Sequence, residues 1–165
     1  MSEESPKYES ISSYGLSLGI VAASYNSRLS DFLVSRVVET IKEAGEPKEI
    51  VIERVPGSHE IPCGLKLMLN AKTFDCLIGL GVVIKGDTSH HHLVAQSAGY
   101  AMQQLVLEHA TPIINGIVVT DDVERAEQRI VGSIDRGKEF ATSTLRMAQL
   151  YLSLIHISEP TRRAI

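Results

Sequence analysis

The stretch "CLIGLGVVIKGDTSHHHLVAQSAGYAMQQL", Cys76–Leu105, decides how this chain folds. It opens with nine apolar or glycine residues in a row, the pattern of a strand buried on both faces at the centre of a parallel sheet. Small polar residues from Lys85 to Ser89 then break the run as a turn. Beyond three consecutive histidines, Val94, Ala98, Ala101 and Leu105 recur at helical spacing. A buried strand, a polar turn and a helix make one half of a strand–helix–strand unit. In sheets built from such units, ligands gather at the carboxyl ends of the strands.

Working outward, the same alternation repeats. "LSLGIVAA" (16–23) reads as a buried strand. The helix that follows carries Leu29, Leu33, Val37 and Ile41 on one stripe, with Gly45 as its stop. "EIVIERV" (49–55) is strand-like, and "PGSHEIP" (56–62) is a loop running into a short helix through Leu65, Met68 and Leu69. "TPIINGIVVT" (111–120) is the next strand, and Thr120 or Asp121 is expected to cap "DVERAEQRIV" (122–131). "GKEFATSTLRMAQLYL" (137–152) is a final helix. The alternation predicts an α/β fold, a parallel sheet with helices on both faces.

Composition narrows the function classes. The chain has 165 residues, 44% of them apolar, and a net charge of −4 with acids and bases interspersed. One domain with an ordinary core is expected, with no nucleic-acid footprint and no membrane span or polybasic patch. Cys63 and Cys76 form no CxxC and sit in apolar surroundings, so they read as two reduced core thiols of a cytoplasmic protein. Residues 1–15 are expected to be a flexible N-terminal segment and 16–152 the folded domain. The string "SLIHISEPTRRAI" (153–165) breaks the pattern, because Pro160 ends any helix. It resembles a peptide produced when sequencing-adapter DNA is translated, so a non-native or disordered tail is expected there.

Four strand ends are unusually polar: "SYN" (24–26), "GSHE" (57–60), "KGDTSH" (85–90) and "TDD" (120–122). His90, His91 and His92 suggest a metal at first sight. Successive helical residues point about 100° apart, so they cannot share one ion as an i, i+4 pair does. Val94, Ala95 and Gln96 supply no further ligand, and no metal is expected. His91 and His92 are expected on the solvent-facing first turn of the helix. The Gly86–Ser89 turn suits an anion, since free N–H groups and the positive end of the helix dipole face whatever docks there. Asp87 would repel a phosphate unless turned away, or it is only an N-cap. Neither nucleotide fingerprint is present, which leaves a small phosphorylated substrate. Arg129, on the helix after the next strand, is its candidate basic partner or an ordinary exposed arginine. His90 is the best placed acid–base group, with an ordinary pKa near ~6.5. Tyr25 either stacks on a flat heterocycle or is a rim aromatic. Glu60 either accepts from substrate hydroxyls or caps the next helix.

Taken together, these segments resemble the lumazine synthase family from about Leu16 to Leu150. "VPGSHEIP" is similar to that family's VPG-x-x-E-hP loop. "GLGVVIKGDTSHHHLV" resembles its LG-x-VI-[RK]-G-x-T-x-H segment, and "INGIVVTDDVERAEQR" its GI-h-T…QA-x-x-R segment. The resemblance implies a flavodoxin-like three-layer α/β/α sandwich whose sites lie between subunits of a homo-oligomer, a pentamer or a cage of sixty. The implied reaction condenses 5-amino-6-(D-ribitylamino)uracil with 3,4-dihydroxy-2-butanone 4-phosphate to 6,7-dimethyl-8-ribityllumazine, phosphate and water, in riboflavin biosynthesis. No metal or organic cofactor is implied, and riboflavin synthase is a candidate partner.

Carried over by the resemblance, Tyr25 takes the pyrimidine-stacking position, where the family commonly has Phe or Trp, with Asn26 beside it. Ser58, His59 and Glu60 fall on the ribityl-holding loop, with Glu60 the hydroxyl acceptor. Val82, Val83 and Ile84 match the strand end along which the uracil lies. Asp87 and Thr88 fall on the phosphate turn, and His90 on the proton-transfer histidine. Arg129 of the adjacent subunit matches the phosphate clamp, and Asn115 a wall that the neighbour usually makes apolar or aromatic. Asn115 and His59 depart from the family's usual residues. A ligand binder without turnover would need neither His90 nor Arg129. Riboflavin synthase substrates lack the phosphate that the turn and Arg129 suit.

Overall fold

The computed structural model describes residues 11–164, with side chains described over 11–155. Four strands, β1 (Ser17–Ala23), β2 (Glu49–Val55), β3 (Cys76–Ile84) and β4 (Ile113–Thr120), pair in parallel in the order β2-β1-β3-β4. The helices are α1 (Ser27–Glu43), α2 (Ile61–Ala71), α3 (His90–His109), α4 (Val123–Ile130) and α5 (Arg136–Ala164), and a 3₁₀ turn over Ser58–Glu60 leads into α2. The fold is the expected α/β sandwich.

Each face of the sheet carries its own core. Ile78, Leu80 and Val82 of β3 pack with Leu33, Val37 and Ile41 of α1 and with Phe140 and Leu145 of α5. On the other face, Leu77 and Val21 pack with Ile61, Leu65 and Met102 from α2 and α3. Each fully buried Leu or Ile contributes about 1.5–3 kcal/mol of transfer free energy. The two glycines of β3 belong to this second face. A Cβ on Gly79 would stand 2.6 Å from Ile61 Cγ2, and one on Gly81 would overlap Ser58 Oγ. Their missing side chains let the 3₁₀ turn and α2 lie directly on the strand, next to its carboxyl end.

The chain runs from β1 outward to β2, then returns across β1 to β3 and β4. The order therefore reverses between β1 and β3, which opens a crevice beyond their carboxyl ends.

Three local expectations are corrected. Cys76 is buried, and burial pushes its thiol pKa well up, but Cys63 lies on the exposed side of α2, midway in sequence between Ile61 and Leu65 of the buried stripe. Asp122, rather than Thr120 or Asp121, caps α4, accepting from Arg125 N at 2.8 Å. Pro160 does not end α5, which runs on to Ala164. An interior proline forfeits one helical hydrogen bond and crowds the carbonyl four residues back, which can kink a helix without ending it. The side chains of 156–165, most of the suspected tail, lie outside the described residues, as do residues 1–10. Within 11–15, Ser13 is buried and its hydroxyl donates to Ile41 O at 2.7 Å. Among the described residues no helix is long and apolar enough to cross a membrane.

Candidate active site

The exit of β1 is shaped by Asn26. It adopts the left-handed region, φ 55°, which Asn tolerates better than most residues. Its carbonyl accepts from Ser30 N at 2.9 Å and so starts α1. Its side chain does not cap that helix; instead Nδ2 donates to Val82 O at 2.8 Å, tying the β1 loop to β3. Tyr25 N donates to Pro56 O at 3.2 Å, which sets the tyrosine beside the next loop. The Tyr25 ring is 72% exposed, and a Cβ on Gly57 would come 3.3 Å from it. The ring presents a flat apolar surface to the crevice.

The Gly57–Glu60 loop closes on itself. Glu60 N donates to Gly57 O at 3.1 Å, and Glu60 Oε2 accepts from Gly57 N at 3.0 Å. Glu60 therefore caps its own turn with one oxygen, and among the described residues nothing engages the other. Ser58 is buried over Gly81, whereas His59 and Glu60 are exposed.

β3 ends at Ile84, and Lys85 N donates to Thr120 O at 3.0 Å. The polar turn then delivers the chain to α3. Thr88 Oγ1 accepts from His90 N at 3.3 Å, and Ser89 occupies the N-cap without a side-chain cap bond. His90 and His92 are exposed. His91 is not: it is 5% exposed, which corrects its expected place in solvent. Its position is that of the buried stripe, seven residues before Ala98 and eleven before Met102. Among the described residues no group of three His, Cys, Asp or Glu side chains comes together as a metal site would require.

These three strand ends surround one cleft of about 800 Å³. Tyr25, Asn26, Ser58, His59, Glu60, Val82, Val83, Ile84, Thr88 and His90 all line it. Asp87 is exposed on the same turn but does not line the cleft. The "TDD" strand end does not reach it either. Asn115 is exposed on β4 near Gly99 of α3, its Oδ1 accepting from Ile117 N at 3.1 Å. Arg129 is half-buried on α4, and among the described residues no ion pair or hydrogen bond engages its guanidinium. Neither Asn115 nor Arg129 lines the cleft of its own chain.

Gly57 and Gly86 line the cleft too, within the polar strand ends already singled out, whereas sequence reasoning missed His91, Leu93, Val94 and Ser97 as lining residues. For three of them a signal existed. Leu93, Val94 and Ser97 stand three, four and seven residues after His90, on the same helical face.

The arrangement offers a flat aromatic, a free carboxylate oxygen, strand-end backbone, an anion-suited turn and an exposed imidazole around one cavity. Comparisons with known proteins supply the family. The sequence profile of 6,7-dimethyl-8-ribityllumazine synthase matches residues 15–151. A curated protein of that name from Polaromonas sp. (strain JS666 / ATCC BAA-500) is 36% identical over 135 residues, covering 81% of this chain and 86% of the relative. Those from Burkholderia mallei (strain SAVP1) and Burkholderia pseudomallei (strain K96243) are 33% identical over 146 residues, covering 88% of this chain and 83% of each relative. With the match spanning both cores and every cleft-lining segment, the chain belongs to the 6,7-dimethyl-8-ribityllumazine synthase family.

Proposed function

We propose that this chain condenses 5-amino-6-(D-ribitylamino)uracil with 3,4-dihydroxy-2-butanone 4-phosphate, giving 6,7-dimethyl-8-ribityllumazine. The observation that carries this reading is the convergence of Tyr25, the Ser58–Glu60 turn, the end of β3 and the Thr88–His90 turn on one cleft. Tyr25 stacks on the uracil, backbone groups of Val82, Val83 and Ile84 align its edge, and Asn26 holds that strand end in place. Ser58, His59 and Glu60 hold the ribityl chain, with the unengaged oxygen of Glu60 accepting from a hydroxyl. Thr88 and the amides of the α3 N-terminus hold the phosphate, with Asp87 turned outward.

In this mechanism the uracil amine attacks the ketone and water leaves to form an imine. Phosphate then departs by elimination, and the second nitrogen closes the ring with loss of another water. His90 moves the proton lost in the elimination, and its exposure lets it exchange that proton with solvent. Holding both substrates in one cleft supplies several kcal/mol of the barrier. Arg129 of a neighbouring subunit stabilises the departing phosphate through charge-assisted bonds of about 1.5–3 kcal/mol each. Asn115 of that neighbour forms the facing wall.

The proposed working unit is a homo-oligomer, a pentamer or a sixty-subunit cage. Among the described residues Arg129 has no ion partner, and apolar side chains such as Leu107 (83% exposed) and Tyr100 (68%) are left uncovered on α3. The cytoplasm, which keeps a thiol such as exposed Cys63 reduced, is the proposed compartment, and riboflavin synthase the enzyme that takes the product.

One assay tests the reading. Protein is mixed with both substrates while lumazine fluorescence and free phosphate are followed. Equal release of both products is expected, and folded protein that yields neither would overturn it.

A further inference from the structure

His91 is the one buried polar side chain whose ring nitrogens both lack a partner among the described residues. It sits on the second residue of α3, is 5% exposed, and lines the cleft beside His90. Its ring lies tilted by 38° against exposed His92, with centroids 3.9 Å apart, and both ring nitrogens are closed to solvent, so the ring must turn for a group in the cleft to reach them. A buried polar group without a hydrogen bond is destabilising, so native proteins rarely keep one unless something outside the chain completes it. A core position that required only bulk would be better filled by an apolar ring.

We propose that His91 is a substrate-contacting residue that binds a hydroxyl-bearing carbon chain. The inference rests on the reading of the cleft as the substrate site. A neutral imidazole offers a donor at one nitrogen and an acceptor at the other. The two nitrogens diverge, so they address different atoms. A phosphate would use only the donor and leave the acceptor bare, and an aromatic heterocycle face would use neither. Hydroxyls, alone or beside a carbonyl, complete both. Both substrates carry this chemistry: the ribityl chain has several hydroxyls, and the butanone phosphate has a hydroxyl next to its ketone. His91 thereby differs from His90 on the same turn. One is exposed and free to exchange protons, and the other is buried and placed to bind.

Two variants separate hydrogen bonding from packing. His91→Phe keeps an aromatic ring and removes both bonding atoms, while His91→Gln keeps one donor and one acceptor. His91→Phe is expected to raise KM for one of the two substrates about tenfold, which is about 1.4 kcal/mol, with kcat changing far less. His91→Gln should recover part of that loss. The substrate whose KM moves identifies which hydroxyls are held. Unchanged KM for both substrates in folded His91→Phe would overturn the inference, as would a Gln variant no better than Phe. Should the Phe variant fail to fold, the ring ¹⁵N resonances of His91 in the wild-type protein decide: they must move when the ribitylaminouracil or the butanone phosphate is added alone. Resonances indifferent to both would overturn it. Wild-type turnover in the same assay tests the reaction separately. If wild type forms lumazine and His91→Phe matches it, only this inference falls; if wild type forms none while the resonances respond, only the reaction does.

Discussion

Asn26 Nδ2 donates to the Val82 carbonyl at 2.8 Å, from a left-handed backbone position at the N-cap of α1. That bond fixes the β1 loop against the strand end proposed to align the uracil. A capping side chain would normally bond the first-turn amides; here it is turned to the strand end instead. Asn26→Gly tolerates the same φ but loses the bond. It is expected to cost about 1 kcal/mol of stability and to raise KM for the aminouracil. Asn26→Ala should cost about 1–2 kcal/mol more, because alanine is strained at that φ. Thermal midpoints and steady-state kinetics of the two variants check this.

Gly81 is where the site loop touches the sheet. An alanine there would overlap Ser58 Oγ and stand 3.3 Å from Ile61 Cδ1, so overpacking of about 1–3 kcal/mol is expected. If the overlap with Ser58 is the cause, adding Ser58→Gly should return much of the loss. Denaturant midpoints of the two single variants and the double variant give the coupling, and strict additivity would assign the cost elsewhere.

A charge pair far from the cleft anchors the start of α5. Arg36 Nε and Nη2 both donate to Asp135, at 3.0 and 2.8 Å, and Asp135 also accepts from Lys138 N at 3.2 Å. The Arg36 guanidinium holds the Asp135 carboxyl below its ordinary value. A carboxylate depressed in the folded state stabilises above the unfolded pKa of about 3.9, and that contribution is lost as pH falls toward the folded value. Asp135→Asn keeps an acceptor but not the charge. It should therefore be less stable than wild type by about 1–2 kcal/mol at pH 6, with the gap closing below about pH 4. A gap independent of pH would show that the charge contributes nothing.

Much of this was legible in the sequence, for identifiable reasons. Strong periodicity set the elements: 49–55 and 76–84 are strands to the residue, and Leu29, Leu33, Val37 and Ile41 form the buried stripe of α1. The polar strand ends led to Tyr25, Asn26, Ser58, His59, Glu60, Thr88 and His90 because ligand sites follow from sheet topology, whereas Val82, Val83 and Ile84 came from the family resemblance. What failed was fine phase. Near a helix terminus one residue is 100° of rotation, enough to place His91 in solvent instead of the wall and to move the α4 cap from Asp121 to Asp122. Cys63 failed in the same way, because apolar neighbours in sequence do not say which face of a helix a residue occupies.

His90 and Arg129 are assigned different tasks, proton transfer and the holding of the phosphate, so their variants should fail differently. His90→Ala should lower kcat about a hundredfold or more, the usual contribution of a positioned acid–base group, with assembly unchanged. Arg129→Ala should raise KM for the butanone phosphate about ten- to a hundredfold, the equivalent of one lost charge-assisted bond, with little effect on KM for the aminouracil.

The same pair tests where the sites lie. Arg129 does not line the cleft of its own chain, so its proposed role requires a head-to-tail contact in which one subunit supplies His90 and the next Arg129. Each single variant alone then has every site damaged. When the two are co-expressed and assemble at random, about one quarter of the interfaces unite an intact His90 with an intact neighbouring Arg129, and about one quarter carry both lesions. Activity of the mixed oligomer should therefore rise to about a quarter of wild type, well above that of either variant. If instead Arg129 acts within its own chain, no mixed interface is ever repaired, and the mixture shows only the average of the two damaged enzymes.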